Sequence, residues 1–231
     1  MDASGIQVMA TVAVRPAFEE LLPRFQHKGG VSVIPLWIPT VQMMQRLKGG
    51  EVVDIVLLTA AMIDELTDDG VIAHGSRVDI VKSRVGMAVR AGARKPDVRS
   101  VAAFKQAMLA AQSIGYSTGP SGIYIAQLFQ RLGIAEAVKD RVRVVTGVPV
   151  GKLIADGNVE IGFQQVSELM PVAGIDRLGA LPQEIECVTT FSAGVHRKAP
   201  QAEGARAFIR YLTSVDAAPV MRDTGLEPLT A

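Results

Sequence analysis

The residues best suited to bind a charged ligand are the hydroxyl-bearing and glycine residues between Ser117 and Tyr124. An apolar stretch ends just before them and an amphipathic pattern begins just after them, which predicts a strand followed directly by a helix. We expect Ser121 to be the N-cap of that helix. Unpaired N–H groups and the helix dipole attract anions to such a start. The stretch therefore predicts either an anion-binding helix start or a capped helix without a ligand.

Comparable strand-to-helix junctions recur along the chain. They fall at residues 11–16, 37–40, 58–60, 117–121 and 146–148. In open α/β sheets, ligands bind beyond the carboxyl ends of the strands, where the connections diverge. Each helix start contributes about 0.3–1 kcal/mol to a nearby negative charge. Several starts that converge would hold a small anion without a metal.

Alternating strand and helix patterns predict the architecture. The apolar run after Asp54 is typical of a parallel strand that is buried on both faces, and Thr40 and Thr59 are expected to cap the next helices. We predict an α/β fold of two lobes, with parallel-rich sheets flanked by helices and a ligand cleft between the lobes. Lobe I comprises residues 1–83 and 191–231, and lobe II comprises residues 84–190. Hinge motion about two crossing strands would close the cleft over the ligand.

Composition excludes several classes of function. The 231 residues include 24 basic and 23 acidic ones, so no basic surplus favours nucleic acid as a partner. No apolar run reaches the roughly 18 residues of a membrane span, so membrane insertion is not expected. The one cysteine, Cys187, is expected to be a buried, inert thiol, and the three histidines are scattered. We therefore predict no metal and no cofactor, and we expect a monomer.

Four stretches, taken in order, resemble the molybdate-type solute-binding proteins of ABC transporters. They are residues 49–57, in which a glycine pair precedes an aspartate and a strand, and residues 121–124, 155–162 and 225–228. The resemblance spans nearly the whole chain and implies the two-lobed type II periplasmic-binding-protein fold. It also implies a small anionic ligand and makes an ABC-transporter permease a candidate partner. It implies a periplasmic location if a leader was removed, whereas Met1 as the native start would favour the cytoplasm.

Departures from that family favour a different anion. The resemblance implies oxyanion contacts near Ala13, Thr40, Ser121, Gly147 and Gln165. The family's first-loop serine is absent, and Gln165 stands where the family has a late tyrosine. Arg15 could bind a carboxylate through two parallel hydrogen bonds, although a surface ion pair is the alternative. We therefore expect a di- or tricarboxylate, or another oxyanion, as the ligand.

The candidate ligand-binding residues lie near these junctions. They are Thr11, Arg15, Trp37, Thr40, Thr59, Arg84, Ser117, Ser121, Gly122, Tyr124, Gly147, Gln164 and Gln165. Arg84 is a second candidate for a carboxylate. Successive strand residues face opposite ways, so either Gln164 or Gln165 is expected to point into the lobe. Trp37 either covers the ligand or packs beneath its loop.

Other stretches resemble an enzymatic branch of this fold, the aconitate isomerases. They are residues 121–124, 164–169 and 192–195. The resemblance implies an allylic proton shift, which needs a base within hydrogen-bond reach of the substrate. The sequence indicates no clear base, because His27 and His74 are expected at the surface and His196 is ambiguous. We predict a solute-binding protein, with a tricarboxylate isomerase as the alternative and a cytoplasmic anion sensor as a third possibility.

Overall fold

The computed structural model describes residues 5–229. Within that range the chain divides into two compact units. Unit 1 comprises residues 5–83 and 190–229, and unit 2 comprises residues 84–189. No helix among the described residues is both long enough and apolar enough to span a bilayer.

The described part of the chain contains ten strands and ten α-helices. The strands are β1 (Ile6–Ala10), β2 (Val33–Trp37), β3 (Ile55–Thr59), β4 (Val78–Arg90), β5 (Ile114–Ser117), β6 (Val142–Val145), β7 (Ile161–Gln165), β8 (Ile175–Ala180), β9 (Val188–Val195) and β10 (Glu227–Pro228). The helices are α1 (Arg15–His27), α2 (Thr40–Lys48), α3 (Ala60–Asp68), α4 (Val101–Ala110), α5 (Pro120–Arg131), α6 (Ala135–Val138), α7 (Val150–Ala155), α8 (Val166–Leu169), α9 (Ala202–Leu212) and α10 (Ala218–Asp223).

Unit 1 is built on a mixed sheet in which β2, β1, β3 and β9 are neighbours in that order. β1 pairs in parallel with both β2 and β3, whereas β9 runs antiparallel to β3. Side chains alternate between two apolar layers: Val8 joins the layer that contains α1 and α9, and Met9 joins the layer that contains α2 and α3. The sheet is therefore covered on both faces, as the apolar run in β3 predicts.

Unit 2 repeats the same strand order. β6, β5 and β7 are parallel neighbours, and β7 pairs antiparallel with the second part of β4. Phe163 packs in the layer that contains α4 and α5, whereas Val150 and Leu169 belong to the opposite layer. In unit 1, β1 lies between β2 and β3, and in unit 2, β5 lies between β6 and β7. The connections therefore diverge between β1 and β3 in unit 1 and between β5 and β7 in unit 2. That divergence is where ligands bind in folds of this kind.

Several predictions of helices and strands need correction. α7 begins at Val150, two residues after the junction predicted at residues 146–148. β8 and β10 were not predicted, because β8 is mostly exposed and lacks an apolar alternation and β10 has only two residues. Each pairs with β4, so their strand conformation depends on a distant partner rather than on local pattern.

Candidate functional site

The carboxyl ends of β1 and β3 bring two predicted threonines to one edge of unit 1. The Thr11 N–H donates to the Leu57 carbonyl at 3.1 Å, which ties the end of β1 to β3. Thr11 is buried, and Thr59 ends β3. The predicted cap at Thr59 is confirmed, because its Oγ1 accepts a hydrogen bond from the Met62 N–H at 3.4 Å. Both threonines therefore lie where the connections of unit 1 diverge.

Arg15 and Trp37 contact each other beside this edge. The Arg15 guanidinium lies 5.9 Å from the centre of the Trp37 ring, and its Nε donates to the Glu19 carboxylate at 2.7 Å. Trp37 ends β2 and packs edge-on against Phe18, with ring centres 6.1 Å apart. The exposed Arg15–Glu19 pair contributes about 0.3–0.5 kcal/mol to stability.

Thr40 does not cap α2, contrary to the sequence-based prediction. Pro39 occupies the N-cap position and Thr40 is the first helical residue. Thr40 is buried, and Ile38, two residues before it, donates its N–H to the Ala10 carbonyl at 3.3 Å. Thr40 thus lies at the carboxyl end of β2, one strand away from the divergence between β1 and β3.

The start of α5 lies at the carboxyl end of β5 in unit 2. Gly119, not Ser121, is the N-cap, and its N–H donates to Ser117 Oγ at 3.2 Å. The helical ladder begins with the bond from the Ile123 N–H to the Gly119 carbonyl at 3.0 Å. The N–H groups of Ser121 and Gly122 precede that bond, so helix geometry leaves them for another acceptor. The prediction of Ser121 as N-cap was wrong because Pro120 takes the first helical position.

Gly122 allows this helix start to lie against the strand end. A Cβ at position 122 would stand 1.6 Å from the Ser117 carbonyl oxygen. Beside it, the Thr118 N–H donates to the Val145 carbonyl at 3.1 Å, and the hydroxyl oxygens of Thr118 and Thr146 are 3.2 Å apart. The ends of β5 and β6 are therefore joined next to the first turn of α5.

The two glutamines at the end of β7 face different partners, as strand geometry requires. Gln164 accepts from the Gly151 N–H at 3.3 Å and donates to the Glu168 carboxylate at 2.7 Å. Gln165 donates from Nε2 to Thr189 Oγ1 at 3.1 Å. Its Oε1 is buried and lacks a hydrogen-bond partner within the described part of the chain. Gln164 is therefore held at both ends of its amide, whereas Gln165 retains a free acceptor.

Glu168 is the residue with a strongly perturbed pKa in this region, and sequence reasoning missed it. Burial raises the pKa of its carboxyl to about 7, against the opposing effect of hydrogen bonds from Gln164 and from the Gln165 backbone. A glutamate three residues after the N-cap residue Gln165 was the available signal, since such a side chain reaches back to the helix start.

Tyr124 and Arg84 have partners inside unit 2. The Tyr124 hydroxyl donates to the Ile185 carbonyl at 2.8 Å and accepts from Arg131 at 2.9 Å. Arg84 forms an ion pair with Glu186. Gly147, the remaining candidate, lies exposed before α7 with a positive φ of 75°. The structure therefore does not bring Tyr124 or Arg84 to the strand ends as unpaired groups.

None of the three histidines ends one of these strands, whereas Cys187 lies two residues before Thr189, the partner of Gln165. His27 and His74 are exposed as expected, whereas His196 is buried and its Nδ1 accepts from the Lys198 N–H at 3.0 Å. Burial, together with Lys198 and Arg197, lowers the pKa of His196. Burial raises the pKa of the Cys187 thiol, which keeps it in its less nucleophilic form. Residues 5–229 contain no cluster of three side chains suited to hold a metal.

The repeated strand order and the helix starts at the strand ends define an α/β protein of the type II periplasmic-binding-protein class. Residues 6–227 match the family of bacterial extracellular solute-binding proteins, and the chain belongs to that family. The expected fold and the resemblance to solute-binding proteins are thus confirmed.

Individual relatives show different activities within this class. The chain is 35% identical over 232 residues to an aconitate isomerase from a Pseudomonas species, with 98% of this chain and 88% of that protein covered. Its fold is similar to that of the periplasmic molybdate-binding protein of Azotobacter vinelandii, with a TM-score of 0.81, 16% identity and coverage of 96% and 98%. It is also similar to a sulfate-binding protein of Mycobacterium tuberculosis, with a TM-score of 0.79, 16% identity and coverage of 97% and 86%.

Proposed function

We propose that this solute-binding protein binds a small organic anion, namely a di- or tricarboxylate. The observation that carries the proposal is the start of α5, where the N–H groups of Ser121 and Gly122 precede the helical ladder at the carboxyl end of β5. A carboxylate accepts two such N–H groups, and the positive end of the helix dipole stabilises its charge. The free Oε1 of Gln165 supports a ligand that also carries a hydroxyl or carboxylic acid donor.

The side chains around the helix starts favour an organic anion over an inorganic oxyanion as the ligand. Ile123 and Val148, which lie beside the starts of α5 and α7, are 44% exposed. Val12, in the turn before α1, is 39% exposed. Exposed aliphatic side chains next to anion-accepting groups suit a ligand with apolar carbons between its carboxylates. Within unit 1, the planar guanidinium of Arg15 is a group that suits a carboxylate.

A second function, isomerisation of a small unsaturated tricarboxylate, is favoured by one specific observation. The relative that is 35% identical over nearly the whole chain is an aconitate isomerase. Binding and isomerisation would use the same helix starts, so binding of a tricarboxylate is common to both functions. Delivery of the ligand to an ABC-transporter permease, by a monomeric protein, belongs to the first function alone.

A thermal-shift screen followed by calorimetry tests the ligand class. Citrate, trans-aconitate, succinate, molybdate and sulfate are compared, because a ligand that binds the folded state raises the melting temperature by mass action. We expect the tricarboxylates to give the largest shifts. A larger shift with molybdate than with any carboxylate would contradict the proposed ligand class.

Arg15→Ala tests the contribution of the guanidinium, and the same helix supplies a matched control. Arg24 is also exposed and also pairs with a glutamate one turn away, namely Glu20. Loss of a charged hydrogen bond costs about 1.5–3 kcal/mol, so Arg15→Ala should weaken citrate binding more than about tenfold. Arg24→Ala should leave citrate affinity unchanged. Equal affinities in both variants would remove Arg15 from the site.

A further inference from the structure

The carboxyl of Glu168 has surroundings that are unusual for a side chain of purely structural importance. β7 ends at Gln165 and α8 begins at the next residue, so no flexible loop separates the strand end from Glu168. The Glu168 carboxylate accepts from the Gln164 amide at 2.7 Å and from the Gln165 backbone N–H. Both partners are uncharged. A partly buried carboxylate held only by neutral donors is costly to ionise, and such groups cluster at functional sites.

The hydrogen bonds of Gln164 fix the direction of this carboxyl. The Oε1 of Gln164 accepts from the Gly151 N–H at 3.3 Å, in the first turn of α7, so its amide cannot rotate freely. Its NH₂ group must then face Glu168, which keeps one carboxylate oxygen in place. A carboxylate offers about four lone-pair sites, and the two known donors leave capacity for another proton.

The position of Glu168 in the fold connects it with the proposed ligand. It follows the carboxyl end of β7, which pairs in parallel with β5 through Tyr116 and Phe163. The start of α5 follows the end of β5. β5 and β7 are the strands between which the connections of unit 2 diverge, so α5 and α8, the helix that carries Glu168, both begin at that divergence.

We infer that Glu168 is the proton-transfer residue of this site, acting on an unsaturated tricarboxylate; the inference rests on the proposed isomerase function. The ionised carboxyl removes a proton from the methylene carbon next to the double bond. The C–H electron pair forms a new double bond to the central carbon, and the former π pair takes the proton back from Glu168 at the far carbon. One group thus serves as base and then as acid, no oxidant or metal ion is consumed, and the carboxylate is regenerated.

The surroundings of the carboxyl suit this exchange of roles. A group that must accept and then return the same proton works best when its pKa lies near the operating pH. Burial of Glu168 provides that shift. The groups that shift the pKa of Glu168 include no cation. This matters because a nearby guanidinium would hold the carboxyl ionised and prevent return of the proton.

Proton NMR of trans-aconitate in heavy water with the full chain tests the assignment. The wild type should form cis-aconitate, and deuterium should enter the allylic carbons only at the rate at which the proton held by Glu168 exchanges with solvent before its return. Glu168→Gln should slow both processes by at least about a hundredfold, the contribution typical of a general base. Calorimetry should show trans-aconitate affinity within about threefold of the wild type, since the amide keeps one acceptor oxygen. Glu160→Gln, which alters an exposed carboxylate that accepts from the Gln112 N–H at 2.6 Å, should match the wild type.

The alternative outcomes separate the two hypotheses. Wild-type rates in Glu168→Gln would overturn the role of Glu168, as would a loss of turnover that merely follows a loss of binding. Tight binding of trans-aconitate by the wild type, without turnover or exchange, would overturn the role of Glu168 and leave the solute-binding function intact. If the wild type binds no carboxylate at all, the proposed function fails together with the inference.

Discussion

The substitution Gly122→Ala offers the sharpest test of the α5 helix start. The added Cβ would lie 1.6 Å from the Ser117 carbonyl oxygen, 2.7 Å from the Ser117 carbonyl carbon and 3.1 Å from the Ser117 nitrogen. All three are backbone atoms, so no side chain can rotate away. To restore an ordinary contact, helix and strand end would have to separate by more than about 1 Å, in an interior that is packed as densely as a crystal.

We expect this clash to cost at least about 3 kcal/mol, at the upper end of overpacking substitutions. For a chain of this size, that loss lowers the melting temperature by roughly 6–12 °C. Urea titration and thermal melts, both followed by circular dichroism, measure the two quantities. The same displacement would move the N–H groups of Ser121 and Gly122, so citrate affinity measured by calorimetry should fall as well.

Gly119→Ala is the matched control, because Gly119 lies in the same turn and has an ordinary φ of −79°. Its Cβ would meet only the Ser117 side-chain oxygen, at 3.3 Å. We expect a loss of at most about 1 kcal/mol, the usual cost of alanine at an N-cap. Similar stabilities for the two variants would refute the close approach of α5 to β5 and, with it, the geometry described for the start of α5.

Three further predictions concern the stability of each unit. Asp54→Asn should destabilise the protein by about 2–3 kcal/mol in urea titration. The reason is that the buried Asp54 carboxylate accepts from the Gln7 N–H at 2.8 Å and from the Gln201 N–H at 2.7 Å. The control Asp97→Asn, which alters an exposed ion pair with Arg99, should have little effect. Tyr124→Phe should cost about 1–2 kcal/mol in the same assay, and an unchanged midpoint would mean that the bond to the Ile185 carbonyl contributes nothing. The pKa of Glu168 is raised from 4.5 to about 7, so the folded state binds its proton more tightly and the stability that this proton provides is lost as pH rises through that window. Relative to Glu168→Gln, the wild type should lose up to about 3 kcal/mol between pH 4.5 and pH 8, whereas parallel curves for the two proteins would show that Glu168 has an ordinary pKa.

Sequence patterns predicted a helix start correctly where the interactions that stabilise it join residues close together in the chain. The hydroxyl of Thr59 before an apolar pattern correctly predicted the cap of α3, and Ser100 caps α4 in the same way. The prediction failed at α5, because Gly119, Pro120 and Ser121 all suit a helix start and only the actual backbone distinguishes them. The alternation of strand residues correctly required Gln164 and Gln165 to face opposite ways, but it could not say which partners each would meet.

Hydrophobic periodicity and capping residues predicted the alternation of strands and helices, because they act through interactions between near neighbours, and the class of protein was predicted from four stretches that resemble solute-binding proteins. The partners of the polar groups, in contrast, follow from the tertiary structure. It paired Tyr124 with Ile185 and Arg84 with Glu186, it held Gln164 at both ends, and it left the N–H groups at the start of α5 outside the helical ladder. It also placed Glu168 in a partly buried position after β7, where desolvation raises its pKa. Hydrogen-bond satisfaction and burial depend on those distant partners, so they follow from the fold rather than from local spacing.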